Sequence, residues 1–95
     1  MTEYQPGMIL VERISYSMTF YHFYKVERVT AKQIKWIKLR KKYVGTDSLR
    51  PIVIPTSEVD DRNPDDVYLT MSKDKAAWKL SEYDASHVYQ EDHLD

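Results

Sequence analysis

The stretch from Phe20 to Val29, FYHFYKVERV, decides the fold of this chain. Aromatic and β-branched side chains dominate it, and such residues favour extended strands. Alternation along a strand places the charged Lys25 and Glu27 on one face, where solvent is expected. The opposite face is predicted to turn toward the core and carries Phe20, His22, Tyr24 and Val26. Val29 falls out of this phase, which indicates a bulge or the end of the strand.

Four further segments are predicted to be short strands, because apolar residues in them are bounded by turn residues. They are Met8 to Val11 (or to Ile14), Arg50 to Pro55, Val67 to Met71 and Ala76 to Ser81. The predicted connections are Ser15 to Thr19, Thr30 to Lys32, Val44 to Ser48, Ser57 to Asp66 and Ser72 to Lys75. The prolines around Ile52 to Ile54 favour an edge strand, which either pairs across a dimer or is guarded against such pairing.

The segment Gln33 to Tyr43, QIKWIKLRKKY, fits neither periodicity cleanly. Helical spacing groups its isoleucines with lysines, and extended spacing divides its apolar residues between two faces. The β-branched and aromatic content favours a strand twisted by a bulge near Trp36, with a helix as the alternative.

Length and composition predict one mostly β domain. A chain of 95 residues is too short for a second core, and 42% hydrophobic residues are typical of a globular protein. Five or six short strands with little helix predict a small, bent antiparallel barrel or roll of SH3-like shape. Residues 1–6 and 89–95 are expected to be flexible termini.

The residue content excludes several function classes. The chain has no cysteine, and no GxGxxG, P-loop, GxSxG or HExxH motif occurs in it, so we expect neither an enzyme nor a cofactor. No apolar run is long enough to span a membrane, and the beginning of the chain lacks the pattern of a signal peptide. We therefore expect a cytoplasmic protein without a membrane partner.

Two groups of possible metal ligands are better interpreted as solvated residues. His87 and His93 lie among carboxylates near the end of the chain, a composition that a flexible acidic terminus also has. The acidic residues between Glu58 and Asp66 lack the spacing of a calcium loop. His22 lies within a strand pattern and is expected to be a partly buried, hydrogen-bonded structural residue. No metal site is predicted.

The order of the segments resembles small uncharacterised proteins of bacteriophages, prophages and other mobile elements, over about residues 6–88. The segments that carry the resemblance are Gly7 to Val11, Phe23 to Thr30, Lys32 to Ile34, Ile52 to Pro55 and Trp78 to Ala85. The resemblance implies a phage-type accessory protein in a bacterial host and supplies no catalytic residues.

Charge is distributed unevenly along the chain. Residues 1–57 hold ten Lys and Arg against four Asp and Glu, whereas residues 58–95 hold four against eleven. Two interpretations remain open: the halves neutralise each other within the fold, or they form two surfaces for partners.

The first partner hypothesis is a host or phage protein. Tyrosine and methionine are frequent in binding hot spots, and carboxylates can stand in for phosphates. The candidate residues are Tyr16, Met18, Tyr21, Asp60, Asp61, Asp65 and Asp66. An inhibitor of a nuclease or defence complex, such as an anti-CRISPR protein, would have this chemistry.

The alternative partner is a nucleic acid. Lysines on a strand can neutralise phosphates, and flat rings can stack on bases. The candidate residues are Lys35, Trp36, Lys38, Arg40, Lys41 and Lys42.

Overall fold

A computed structural model describes residues 3–15, 17–45, 49–63, 65 and 67–93 of the chain. The elements in chain order are β1 (Ile9–Ser15), β2 (Thr19–Val29), β3 (Gln33–Val44), β4 (Ile52–Val59), β5 (Tyr68–Ser72), α1 (Lys73–Lys79), β6 (Ser81–Glu82) and β7 (Tyr89–Gln90). The strands form one strongly curled antiparallel sheet, so the predicted mostly β barrel or roll is confirmed.

Strands β2 and β3 form the centre of the sheet, whose order is β6-β1-β2-β3-β4-β7. β3 is long enough to hold two neighbours on its far edge, β5 along its first half and β4 along its second. Backbone hydrogen bonds between Thr19 and Asp92 bring the last part of the chain back to the start of β2. The sheet therefore curls toward closure.

The bulge that Val29 indicated lies in β2. Val26 pairs with Trp36 and Arg28 with Lys35, so Glu27 is the extra residue. The sequence predicted a bulge near Trp36 in β3, and this was wrong because the extra residue lies in β2. Gln33–Val44 is a strand, as predicted, and the alternative of a helix does not apply.

A second irregularity lengthens β4 beyond the predicted segment. Leu39 pairs with Val59 but Lys41 pairs with Pro55, so β4 contributes two more residues than β3 between these pairs. Ile52 and Val53 also pair with β7. The start of β4 is therefore covered on both sides, and the predicted edge position does not apply there.

The predicted strand Ala76 to Ser81 was wrong, because Lys73–Lys79 is a helix. The side chain of Ser72 caps it by accepting from the backbone N–H of Lys75. The alternation of Trp78 and Leu80 suggested a strand, yet it is Ala76 and Leu80, four residues apart, that face the core. Trp78 is 75% exposed.

The core consists of two clusters. The first lies under α1 and contains Tyr4, Leu10, Tyr24, Val26, Ile34, Trp36, Ala76 and Leu80. The second lies under β7 and contains Val11, Phe23, Leu39, Val53 and Tyr89. Within the described residues, no helix has the length and apolar character that crossing a membrane requires.

The two tryptophans provide a test of this core. We expect Trp36→Ala to lower the free energy of unfolding by about 3–5 kcal/mol, because the ring is buried. Trp78→Ala should change it by less than about 0.5 kcal/mol, since that ring is exposed. Urea denaturation of both variants measures the difference, and equal losses would contradict the described packing.

Candidate functional site

Much of the uneven charge is neutralised within the fold. Cations of the first half pair with carboxylates of the second: Arg40 with Asp61 at 3.3 Å, Lys41 with Glu91, and Arg50 with Asp92 at 4.0 Å. Intramolecular complementarity therefore accounts for part of the charge split.

The pair of Lys41 and Glu91 is the most buried of these. Glu91 is fully buried and accepts hydrogen bonds from Lys41, from the backbone N–H of Tyr21 at 3.0 Å and from His93 at 2.9 Å. Burial alone would raise the pKa of Glu91, but these donors outweigh it, and the pKa is lowered. Lys41 also donates to the carbonyl of Tyr21 at 3.0 Å. Lys41 and Tyr21, each predicted to bind a partner, thus hold the sheet together.

The described residues of the predicted protein-binding set are largely engaged within the fold. Tyr16 and Asp66 lie outside the described residues, and Met18 is half-buried. The ring of Tyr21 packs against Tyr89, with centroids 5.4 Å apart.

The carboxylates of that set are also mostly paired. Asp60 is buried and accepts two bonds from the Arg62 side chain, at 2.8 and 2.7 Å. These bonds hold the pKa of Asp60 well below its usual range. Asp61 pairs with Arg40, which leaves Asp65 as an exposed carboxylate. Within this set, Asp60 is therefore closed to a partner, whereas Asp61 and Asp65 are exposed.

The predicted nucleic-acid set does not lie on one surface either. Trp36 is 2% exposed and stacks on Tyr24, with centroids 5.1 Å apart, so its ring is closed to a base. Lys41 is committed to Glu91. Alternation along β3 places Lys35 on the opposite face from Lys38.

Instead, pairing across three strands assembles a different cationic surface. In one row Lys25 of β2 lies opposite Ile37 of β3, which lies opposite Tyr68 of β5. In the next row Arg28 lies opposite Lys35, which lies opposite Thr70. We call the exposed members of these rows the basic sheet face: Lys25, Arg28, Lys35, Tyr68 and Thr70.

The bulge at Glu27 creates the basic sheet face. In an unbroken strand Lys25 and Arg28 would point to opposite faces, because they differ in parity. The extra residue shifts Arg28 into line with Lys35, on the same face as Lys25. The sequence signal for this bulge was Val29, which falls out of phase with the rest of β2. The sequence does not reveal that β5 pairs with β3 and so adds Tyr68 and Thr70 to this face.

The electrostatics of this face differ from those of the remaining sheet. Among the described residues, no carboxylate forms an ion pair with Lys25, Arg28 or Lys35. The ammonium of Lys35 lies 5.3 Å from the ring centroid of Tyr68, and 59% of Tyr68 is exposed. Arg28, Lys35 and Thr70 also border a shallow groove of about 230 Å³. The face therefore offers three cations that form no ion pair with a described carboxylate, beside the exposed Glu27 of β2 and around an accessible ring.

The histidines take part in local packing. His22 is half-buried, with Nδ1 4.0 Å from Glu12, and its pKa is lowered by burial and then by Lys38 and Lys41. His87 packs against the ring of Tyr89, with centroids 4.7 Å apart. The described part of the chain contains no group of three or more His, Cys, Asp or Glu side chains placed to hold a metal ion.

The fold and site define a small, curled antiparallel sheet with one cationic, aromatic face. Comparison of the chain with protein-family models, curated proteins and solved structures found no match. The resemblance to phage proteins stays a prediction.

The buried ion pair gives a pH-dependent test. We expect Lys41→Met to lower the free energy of unfolding at pH 7 by about 3–5 kcal/mol, because it removes the ammonium that pairs with the buried carboxylate of Glu91. A lowered pKa means that the wild-type protein loses this contribution as the pH falls below about 4.5, the ordinary value for Glu. The gap between variant and wild type should therefore narrow toward acid pH. Urea denaturation at pH 7 and pH 4 measures the difference in the free energy of unfolding, and Lys42→Met, at an exposed lysine, is the control. A difference that does not change with pH would contradict the ion pair of Lys41 with Glu91.

Proposed function

We propose that this protein is a non-enzymatic nucleic-acid-binding module that holds a single strand across the basic sheet face. The observation that supports the proposal most is the group of three exposed cations, unpaired with any described carboxylate, around an exposed tyrosine. This is the alternative partner that the sequence predicted, moved to a surface that shares only Lys35 with the predicted set.

The cations favour a polyanion as the ligand. Lysines and arginines that already pair with carboxylates gain little from a phosphate, because the internal partner must first be displaced. Lys25, Arg28 and Lys35 have no such competitor among the described residues. Neutralising about three phosphates of a single strand would give a slope of roughly −2 in the logarithm of affinity against the logarithm of salt concentration.

Tyr68 favours a single strand over a duplex. A base with a free face can stack on an exposed aromatic ring, and such stacking contributes about 1–3 kcal/mol per base. Duplex bases are already stacked on each other, so a duplex would engage the cations alone. The exposed residues in the paired rows of β2, β3 and β5 are accessible to a strand that lies across them.

Fluorescence anisotropy with a labelled oligothymidine 15-mer tests the cations. We expect binding at 50 mM salt that weakens by roughly 10- to 20-fold at 200 mM. The double variant Arg28→Glu/Lys35→Glu should weaken binding more than tenfold at low salt. The matched control Lys42→Glu/Lys75→Glu makes the same charge change at exposed lysines outside this face and should have a small effect.

Equal weakening by the two double variants would show that only net charge matters, and it would overturn the assignment of the face. Absence of binding by the wild-type protein at 50 mM salt would overturn the proposed function itself.

Tyr68 is tested by a separate pair of variants. Tyr68→Ala should weaken single-strand binding by roughly 5- to 150-fold, which corresponds to the loss of one stacked base. Tyr68→Phe retains the ring and should bind like the wild-type protein. A duplex of the same length should not distinguish the three proteins, and a loss with Tyr68→Phe would argue against stacking.

One observation favours the protein partner that the sequence also predicted. Trp78 lies on the outer side of α1 with 75% of its surface exposed, and tryptophan is the residue most enriched in binding hot spots. In this second candidate function, the protein is a phage-type inhibitor of a host nuclease or defence complex. If this second function is correct, Trp78→Ala abolishes binding to a purified partner protein, and Arg28→Glu/Lys35→Glu leaves that binding intact.

A further inference from the structure

A polar pocket of about 510 Å³ lies on the sheet face opposite the basic sheet face, beside the end of α1. Side chains from five elements line it, so the curl of the sheet is what creates it. Among them are Glu12, His22, Tyr24, Lys38, Leu69 and Lys79.

The floor of the pocket is fixed by Glu12. Glu12 is 9% exposed, and its carboxylate accepts from the hydroxyl of Tyr24 at 2.8 Å and from the ammonium of Lys79 at 3.1 Å. Both carboxylate oxygens thus have donors that belong to the protein. The pair of Glu12 and Lys79 also ties the end of α1 to β1.

Arg13 and Lys38 both line the pocket, and Lys38 is the less exposed of these two cations. It is half-buried, and no described carboxylate forms an ion pair with it. The backbone N–H of Asp60 donates to the carbonyl of Lys38, which brings that carboxylate near. The Asp60 carboxylate, however, is engaged by two bonds from Arg62. Lys38 is therefore a half-buried lining residue of the cavity that forms no ion pair with a described carboxylate.

His22 gives the pocket a second nitrogen donor that responds to charge. The charged groups that act on the ring are Lys38 and Lys41 of β3, which oppose its protonation, and Glu12 and Glu91, which favour it. Burial is the largest effect and lowers the pKa of His22. An anion bound beside the ring would reverse this balance by stabilising the imidazolium.

We infer that this pocket binds a small phosphorylated molecule of about mononucleotide size, with its phosphate between Lys38 and His22 and its polar body beside Glu12 and Tyr24. The volume lies within the range of ordinary ligand sites. A phosphate offers several acceptor oxygens, so it can bind an ammonium and an imidazolium together. The site is separate from the proposed nucleic-acid surface and does not depend on it.

The first experiment titrates the wild-type protein with inorganic phosphate and then with adenosine monophosphate, followed by NMR. We expect saturable shifts at His22, Lys38 and Lys79, and a pKa of His22 that rises by at least half a unit when either ligand saturates the site. Adenosine monophosphate should bind more tightly than phosphate, because its body fills the remaining volume. Sodium acetate at the same ionic strength should leave His22 unchanged.

Variants then distinguish binding in the pocket from attraction to the general charge of the surface. Lys38→Met should weaken binding of adenosine monophosphate at least tenfold, and Lys38→Arg should restore much of it. Lys35→Met, on the basic sheet face, should not alter it. Circular dichroism shows whether each variant folds. The titration of His22 in the wild-type protein tests the inference even if a variant fails to fold.

Three results would overturn the inference. They are an unchanged His22 pKa at saturating phosphate, shifts spread equally over exposed lysines, and equal effects of Lys38→Met and Lys35→Met. The oligonucleotide measurements address the other face, so either proposal can fail while the other stands.

Discussion

The pairing of β2 with β3 around the bulge at Glu27 is the constraint on which the other features depend. It sets which residues of β2 face α1 and which face the opposite side. The far edge of β3 pairs with two successive strands, β5 and β4. The alignment of Arg28 with Lys35 on the side of Lys25 follows from this one extra residue.

The fold uses its charges in two ways. Where carboxylates from the later part of the chain reach β3, they neutralise its cations, and in the pair of Lys41 and Glu91 the carboxylate is fully buried. On the basic sheet face and at Lys38 no described carboxylate fills that role. A cation that the fold leaves unpaired costs little in water and retains its full attraction for an external anion. This contrast, rather than net charge, is what distinguishes candidate surfaces in a chain whose total charge is −1.

Local patterns in the sequence predicted much of the fold, and distant contacts limited the prediction of the site. The strand at Phe20 to Val29 was identified because alternation and β-branched content agree there. The helix Lys73–Lys79 was missed because alternation at Trp78 and Leu80 outweighed the capping signal of Ser72 in so short an element. Trp36 was assigned to a binding surface because an aromatic residue among lysines looks the same whether it is exposed or buried. Neither the pairing of Glu12 with Lys79 nor that of Lys35 with Thr70 follows from local pattern, since each joins segments far apart in the chain.

The hydrogen bonds of Glu91 also bear on how the protein reaches its native state. They join it to Tyr21 and Lys41, residues 70 and 50 positions earlier, and the neighbouring Asp92 pairs with Thr19. Closing such long loops costs entropy before the contacts repay it, so a topology of this kind folds on the millisecond-to-second scale. During synthesis, the hairpin of β2 and β3 can form early, but the second core cluster stays open until Tyr89 has left the ribosome. Its apolar side is thus exposed until then, and exposed apolar surface makes a nascent chain prone to aggregate.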